Sequence, residues 1–208
     1  AVWVWLLWTA LCVLVSSCGT KTLPAPGQLM VVVWTDLTPG QDFDSFRIEV
    51  EHVNNTLYGV DFKVGPSDHE ANVQLPATLA IVAGHSTNEP VTIRLWARRG
   101  GSTGLVRVYK EVVTQIPAQG IVRVNIGIDW ACLDWVQALG TNHDQIKSVC
   151  NDGFTCEAGS CTAIKKELES LASYDATEVF GGANQRCFDV AACFANASKQ
   201  LTLTPVGG

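Results

Sequence analysis

The chain has 208 residues, of which 47% are hydrophobic and 16% charged, a composition typical of folded globular proteins and unlike that of disordered chains. The formal net charge of -6 and the pI near 5.1 argue against nucleic acid as a partner, because phosphate binding needs clustered Lys and Arg side chains. At this length we expect one ordinary domain and a smaller appended unit.

The first residues form an apolar leader. Ala1 to Val15 is apolar apart from Thr9, and no charge occurs before Lys21. As a helix this stretch would be about 22 Å long, shorter than a hydrocarbon core of about 30 Å, so it fits the apolar region of a signal peptide. We therefore predict a signal peptide over residues 1–17. An uncleaved membrane helix and a conventionally cleaved secreted protein are the alternatives.

The end of the leader, Leu14-Val15-Ser16-Ser17-Cys18, resembles the bacterial lipobox, in which an aliphatic and two small residues precede the lipidated cysteine. The resemblance implies a covalent diacylglyceryl lipid on Cys18, with acyl groups such as palmitate, and we expect no other cofactor. Two or more acyl chains hold a protein stably on a bilayer. We therefore expect a lipid anchor in the outer membrane of the cell envelope, with the body periplasmic or surface-exposed. Residues 18–27, which contain two prolines, are the lipidated N-terminus and a stiff linker.

Seven short apolar runs, separated by turn-forming residues, follow from Gln28 onward. They are Met30 to Trp34, Phe46 to Val50, Leu57 to Val64, Val73 to Val82, Val91 to Ala97, Leu105 to Ile116 and Ile121 to Ile128. The second run alternates apolar with charged residues, a period of two that is typical of a half-buried strand. The sixth run alternates in the same way, with Lys110 as an exception among valines. The pattern predicts a mainly β domain over residues 28–130, an antiparallel seven-stranded β-sandwich like immunoglobulin and fibronectin type III domains, with a partly open barrel as the alternative.

Six of the eight cysteines lie beyond residue 131. They are Cys132, Cys150, Cys156, Cys161, Cys187 and Cys193. An even number in one region of an exported protein predicts three disulfides that stabilise a small segment. Six cysteines allow fifteen pairings and the spacing does not select among them; the pairing we adopt joins Cys132 to Cys156, Cys150 to Cys161 and Cys187 to Cys193.

A zinc site is the alternative use of these cysteines. The gap of five residues between Cys150 and Cys156 lies outside the C-x2-4-C spacing typical of structural zinc, although the gap of four between Cys156 and Cys161 lies within it, and an oxidising compartment favours disulfides. Further along, Thr162 to Tyr174 has apolar residues at helical spacing, which predicts a short amphipathic helix with Thr162 as its N-cap. Residues 131–208 are thus predicted to be a cysteine-rich segment with one short helix.

The lipobox, the strand and turn VVVWTDLTPG, the module CNDGFTCEAGSC and the run CFDVAACF together resemble the cysteine-rich cell-surface lipoproteins of myxobacteria. The likeness covers most of the chain. It implies surface display, and it carries over no catalytic or ligand-binding residue. In such proteins a further domain often follows the cysteine module, and a fragment of a longer protein is one interpretation of the chain.

No arrangement typical of catalysis occurs in the sequence. Gly84-His85-Ser86-Thr87-Asn88 begins like a nucleophile elbow but has Asn88 where glycine is required, and we interpret it as a turn. Asp68-His69-Glu70 follows Gly65-Pro66-Ser67, which is typical of an exposed loop. We therefore predict that the protein is not an enzyme.

Three aspartates near the first predicted hairpin, Asp36, Asp42 and Asp44, are the candidate metal ligands. Exported β domains bind calcium through loop carboxylates. The spacing does not match an EF-hand, because Arg47 stands where the loop glycine would be, and aspartate is common in turns. We therefore predict no metal site and keep calcium as the alternative.

These observations predict a non-enzymatic bacterial surface lipoprotein that serves as a binding or display module in the cell envelope. Its partners would be the membrane, through the lipid, and a carbohydrate or protein ligand. The alternative is the accessory stalk of a longer secreted hydrolase with its catalytic domain beyond Gly208, which a full-length reading frame would reveal. A secreted disulfide-rich inhibitor is disfavoured because the cysteine segment is fused to a sizeable domain.

Overall fold

The computed structural model describes residues 26–53, 55–65, 73–84, 89–138 and 146–181, and these ranges are mainly β. Each of the seven predicted apolar runs contains a strand. The strands are β1 (Gln28–Thr35), β2 (Ser45–His52), β3 (Asn55–Lys63), β4 (Ala77–Val82), β5 (Pro90–Arg99), β6 (Leu105–Gln115) and β7 (Ile121–Ile128). The prediction of a mainly β domain is confirmed, although β4 begins at Ala77 and not at Val73.

The seven strands form two sheets, a three-stranded sheet in the order β4-β1-β7 and a four-stranded sheet in the order β3-β2-β5-β6. β1 and β7 pair in parallel, with Gln28 opposite Ile121, whereas the other pairs are antiparallel. The prediction of an entirely antiparallel arrangement is therefore wrong at this pair. Apolar alternation reports which face of a strand is buried and carries no information on the direction of its neighbour. No hairpin turn connects β1 to β7, so the direction is free of that constraint.

Both sheets bury side chains in one common hydrophobic core. In β5 every second residue is buried, as Ile93, Leu95 and Ala97 show. Val31 of β1 and Ile126 of β7 belong to the same cluster of buried residues. Full burial of such side chains contributes about 1.5–3 kcal/mol each, so this shared core holds the two sheets together.

Beyond residue 129 the chain forms short elements. They are a 3-10 turn at Trp130–Cys132, β8 (Val136–Ala138), β9 (Ile146–Ser148), β10 (Phe154–Glu157), β11 (Ser160–Ala163), a second 3-10 turn at Leu168–Ser170 and helix α1 (Ala176–Phe180). β8 pairs with β9 and β10 pairs with β11, both antiparallel. The side chain of Asp175 accepts a hydrogen bond at the start of α1, and Gly181 in the left-handed region ends it.

The predicted helix over Thr162 to Tyr174 is wrong, and the short helix of the described residues lies at Ala176–Phe180. The carbonyl oxygen of Ile164 accepts a hydrogen bond from the Val113 N–H at 2.8 Å, and the Lys166 N–H donates to the Val113 carbonyl at 2.9 Å. A chain that pairs with a strand edge in this way must stay extended. The segment whose apolar spacing suggested a helix therefore runs along the sheets instead.

We call Ile164 to Tyr174 the strap, because it covers one edge of each sheet. Besides its bonds to β6, the Ala172 carbonyl accepts from the Arg123 N–H at 2.8 Å, and the Tyr174 N–H donates to the Ile121 carbonyl at 3.0 Å. β6 and β7 are edge strands of their sheets, so the strap occupies backbone groups that would otherwise be open to another chain. The domain boundary predicted after residue 130 stays a prediction, and these hydrogen bonds cross it.

The leader and the lipid site are not part of this description. Residues 1–17, Cys18 and the linker up to residue 25 lie outside the described residues. Within the residues that are described, no helix combines the length and the apolar character needed to span a bilayer.

Two leucine positions test the core. Leu95 is fully buried and Leu57 is 63% exposed. Leu95→Ala is expected to lower the free energy of unfolding by about 2–5 kcal/mol, because it removes buried methyl groups and leaves a cavity. The matched control Leu57→Ala should change it by less than about 0.5 kcal/mol. Urea unfolding followed by tryptophan fluorescence measures both, and equal effects would contradict the assignment of the core.

Candidate functional site

A charged pair lies inside the protein, between β6 and the residue that follows β7. Lys110 is 4% exposed and Asp129 is 5% exposed. The Lys110 Nζ lies 2.6 Å from Asp129 Oδ2 and also donates a hydrogen bond to the Cys156 carbonyl oxygen. Burial lowers the pKa of Lys110, and the contact with Asp129 opposes that shift. Lys110, the residue that breaks the apolar alternation of the sixth run, therefore faces inward and forms a buried ion pair with Asp129.

Two further carboxylates act on Lys110 through space, Glu157 and Asp36. Asp36 is itself bound, since its Oδ1 accepts the Trp130 backbone N–H at 2.7 Å. The Oδ1 atom of Asp129 is buried and has no hydrogen-bond partner among the described residues. Within the described ranges, the buried pair thus satisfies one carboxylate oxygen of Asp129 and leaves the other without a donor, which is costly in a protein interior.

The four described cysteines form two disulfides, Cys132–Cys156 and Cys150–Cys161, with Cα–Cα distances of 5.8 and 5.7 Å. These are two of the three pairs that we adopted from the sequence; the third, Cys187–Cys193, lies outside the described residues. Cys132 and Cys156 are buried, whereas Cys161 is exposed. A cysteine in a disulfide has no thiolate to offer, so the zinc alternative is wrong for these four residues.

The three candidate calcium ligands each have a separate backbone partner. Asp36 accepts an N–H that follows β7, Asp42 accepts one within its own turn, and Asp44 accepts the N–H groups of two glycines in the β5–β6 loop. Burial opposes the charge of Asp44, but these N–H groups outweigh it and lower the pKa of Asp44. No group of three or more His, Cys, Asp or Glu among the described residues is placed to hold a metal ion. The aspartates therefore act as loop caps.

The other polar candidates give no catalytic arrangement within the described ranges. His52 Nε2 lies 2.8 Å from Glu89 Oε2 in a contact open to solvent. Residues 85–88, which resemble a nucleophile elbow, and the triplet Asp68-His69-Glu70 lie outside the described residues. These two segments therefore stay interpretations of the sequence.

Two tryptophans are exposed at one end of the three-stranded sheet. Trp34 near the end of β1 is 39% exposed, and Trp130 just beyond β7 is 69% exposed. Since β1 and β7 run in parallel, both residues lie at the same end of the sheet. The Trp34 ring covers Gly127, where a Cβ atom would lie only 2.6 Å from the ring. The hydrogen bond from the Trp130 N–H to Asp36 fixes the backbone of the second tryptophan.

Neither the buried pair of Lys110 and Asp129 nor the two exposed tryptophans stand out as a site in the sequence. Lys110 among inward-facing valines was the available signal for the first. Its partner Asp129 has no signal of its own, because an aspartate after a strand is also typical of a turn. Trp34 and Trp130 are placed at the same end of the sheet by the parallel pairing of two strands that are distant in sequence, which no local pattern encodes.

A comparison of the chain with models of protein families, with curated proteins and with solved structures finds no match. The chemistry of the residues described above is therefore the basis for assigning a function.

The two disulfides are expected to differ in their effect on stability. Their cysteines are 24 and 11 residues apart, for which chain entropy gives about 3.5 and about 2.8 kcal/mol. Replacing both Cys132 and Cys156 by alanine also leaves a buried cavity, so this double variant should lose more stability than the Cys150, Cys161 double variant. Urea unfolding of the two variants measures the difference. A larger loss in the second variant would contradict the buried position of the first disulfide.

Proposed function

We propose that the protein is an exported, non-enzymatic lipoprotein of the bacterial cell envelope, anchored in the outer membrane by an acylated Cys18. The observation that carries this proposal is the pair of disulfides, one of them buried inside the folded body. Disulfides persist in oxidising compartments and are rare in the reducing cytosol. The apolar leader and the lipobox-like residues supply the route of export, and the class we propose is that of the cysteine-rich surface lipoproteins that the sequence resembles.

We also propose that β1 to β7 form a sandwich of the immunoglobulin or fibronectin type III kind. The shared core of the three-stranded and four-stranded sheets supports this arrangement. The parallel pairing of β1 with β7 is a local departure from the antiparallel pattern. In such sandwiches the loops gather at the two ends, and ligands bind at those ends.

The exposed tryptophans lie at the end of β1 that is remote from the tether. The linker enters the fold at Gln28, and Trp34 lies about 20 Å further along the strand at about 3.3 Å per residue. A membrane attached through Cys18 is therefore nearest to the Gln28 end. In this orientation Trp34 and Trp130 lie at the end of the sheet that is farther from the bilayer, where a soluble or neighbouring ligand has access to them.

We propose a carbohydrate as the ligand of this end. An indole ring presents a broad apolar face with partial negative charge, which suits the C–H groups on one face of a pyranose ring. Asp36 beside Trp130 offers a carboxylate, and the exposed Asn125 lies on the same face of β7 as Gly127 and offers an amide. Apolar faces flanked by hydrogen-bonding groups match the alternation of C–H and O–H groups on a sugar.

The lipid anchor is tested by labelling. Cells that express the protein with its leader are grown with a fatty-acid analogue, and the wild-type protein is expected to carry the label. Cys18→Ala should abolish the label, because the lipid is attached through the Cys18 sulfur and the variant has no sulfur at that position. Cys12→Ala is the matched control and should retain it. A labelled Cys18→Ala protein would contradict the anchor.

The ligand is tested with the detergent-solubilised mature protein on immobilised polysaccharides and on immobilised envelope proteins. We expect a polysaccharide to be retained, and Trp130→Ala to weaken that binding at least tenfold through loss of about 1.4 kcal/mol or more, as exposed anchor residues do. Leu57→Ala, an exposed apolar change on the other sheet, should leave it unchanged. Retention of proteins alone, or full binding by Trp130→Ala, would overturn the carbohydrate site.

A further inference from the structure

We propose that Lys110 and Asp129 become joined by an intramolecular isopeptide bond between Nζ of the lysine and Cγ of the aspartate, formed by the folded protein without an enzyme or a cofactor. The bond would connect β6 of the four-stranded sheet to the residue that follows β7 of the three-stranded sheet. It is a covalent modification independent of the disulfides and of the lipid.

The two reacting groups are already in contact. Nζ of Lys110 lies 2.6 Å from Oδ2 of Asp129, and since a carbon–oxygen bond is about 1.23 Å long, Cγ lies within about 3.8 Å of Nζ. A near-attack separation is about 3–3.5 Å, so a small movement suffices. Lys110 is held in β6 opposite Leu95, and Asp129 directly follows β7. Such fixed placement can raise the effective concentration of one group at the other to about 10⁵–10⁸ M.

The surroundings of the pair favour condensation over the charged state. Val108 and Val112, on the same face of β6 as Lys110, are buried, and the buried Cys132–Cys156 disulfide adjoins the pair, since Cys156 accepts a hydrogen bond from Nζ. Burial disfavours the charged ammonium form and lowers the pKa of Lys110. A site without solvent access also hinders hydrolysis of the amide once it has formed.

The reaction balances with the two side chains alone. The ammonium group of Lys110 transfers one proton to the Asp129 carboxylate, whose Oδ1 has no hydrogen-bond partner in the part of the chain that the structure describes. The amine lone pair then attacks Cγ, a carbon–nitrogen bond forms, and one carbon–oxygen bond breaks. The departing oxygen takes the carboxylic proton and one amine proton and leaves as water. The remaining amide N–H can donate to the Cys156 carbonyl, nothing is oxidised or reduced, and no co-reactant is needed.

Other lysine–carboxylate contacts in the described ranges lack this environment. Lys166 Nζ lies 3.0 Å from Glu157 Oε2, and Lys147 Nζ lies 3.2 Å from Asp152 Oδ1, but both contacts are open to water. In water such groups stay charged, and hydration competes with attack on the carboxyl carbon. Lys166 is therefore a built-in comparison for Lys110, since both touch a carboxylate and differ in burial.

The test is mass spectrometry of the full-length protein, purified from its native host or membrane fraction, reduced, alkylated, denatured and digested with trypsin. Because trypsin does not cleave after an acylated lysine, the bond predicts one branched peptide that joins residues 108–123 to residues 124–147. Its mass should be lower than the sum of the two linear peptides by one water molecule. Fragmentation should place the link at Lys110 and Asp129. Cleavage after Lys166 should be complete in the same digest.

Variants give the second arm of the experiment. Lys110→Arg keeps the positive charge but removes the primary amine, so it should yield only unlinked peptides; digestion of the wild-type protein decides the question even if this variant does not fold. Complete cleavage after Lys110 in the wild-type protein, with residues 124–147 recovered at their full linear mass, would overturn the proposal and leave the pair as an ion pair only.

Discussion

The contact of Lys110 with Asp129 and with the Cys156 carbonyl connects three parts of the chain that are distant in sequence. Lys110 belongs to the four-stranded sheet, Asp129 follows the last strand of the three-stranded sheet, and Cys156 lies in the disulfide segment. A buried charge without its partner costs about 3–5 kcal/mol. Neither sheet can therefore separate from the other, or from the disulfide segment, without exposing or isolating this charge. The contact therefore adds a specific connection to the hydrophobic core that holds the two sheets together.

The role of the cysteine-rich segment follows from the two edges that it covers. A sheet whose edge strand is open presents unpaired backbone groups on which other chains can assemble. The strap pairs with β6 through Ile164 and with β7 through Ala172, so one continuous stretch covers both edges. Two disulfides hold the hairpin of β10 and β11 that precedes the strap. The cysteines thus stabilise a segment that completes the β body, and for this reason the segment need not build a core of its own.

How much of this was predictable depends on the range of the interaction. The seven strands were predictable because each has its own apolar pattern, and the burial of β5 follows that pattern residue by residue. The direction of β1 relative to β7 was not, because it is decided by contacts between residues that are far apart in the chain. The spacing of Ile164, Leu168 and Leu171 suggested a helix, but backbone pairing with the edges of β6 and β7 overrides a weak local preference. At the candidate sites, Lys110 was visible as an exception, whereas its partner and the neighbourhood of Trp34 and Trp130 depend on the tertiary fold.

The Cys132–Cys156 disulfide and the contact of Lys110 with Asp129 connect the same few residues. The Asp129 carbonyl accepts the Cys132 N–H at 3.2 Å, Cys132 is bonded to Cys156, and the Cys156 carbonyl accepts from Lys110. The disulfide is sensitive to the redox state of its surroundings. An ion pair between Lys110 and Asp129 is sensitive to solvent access, and an amide between them would be sensitive to neither. Placing both connections between β6, the end of β7 and β10 raises the barrier to unfolding where the two sheets meet the hairpin of β10 and β11, next to Trp130.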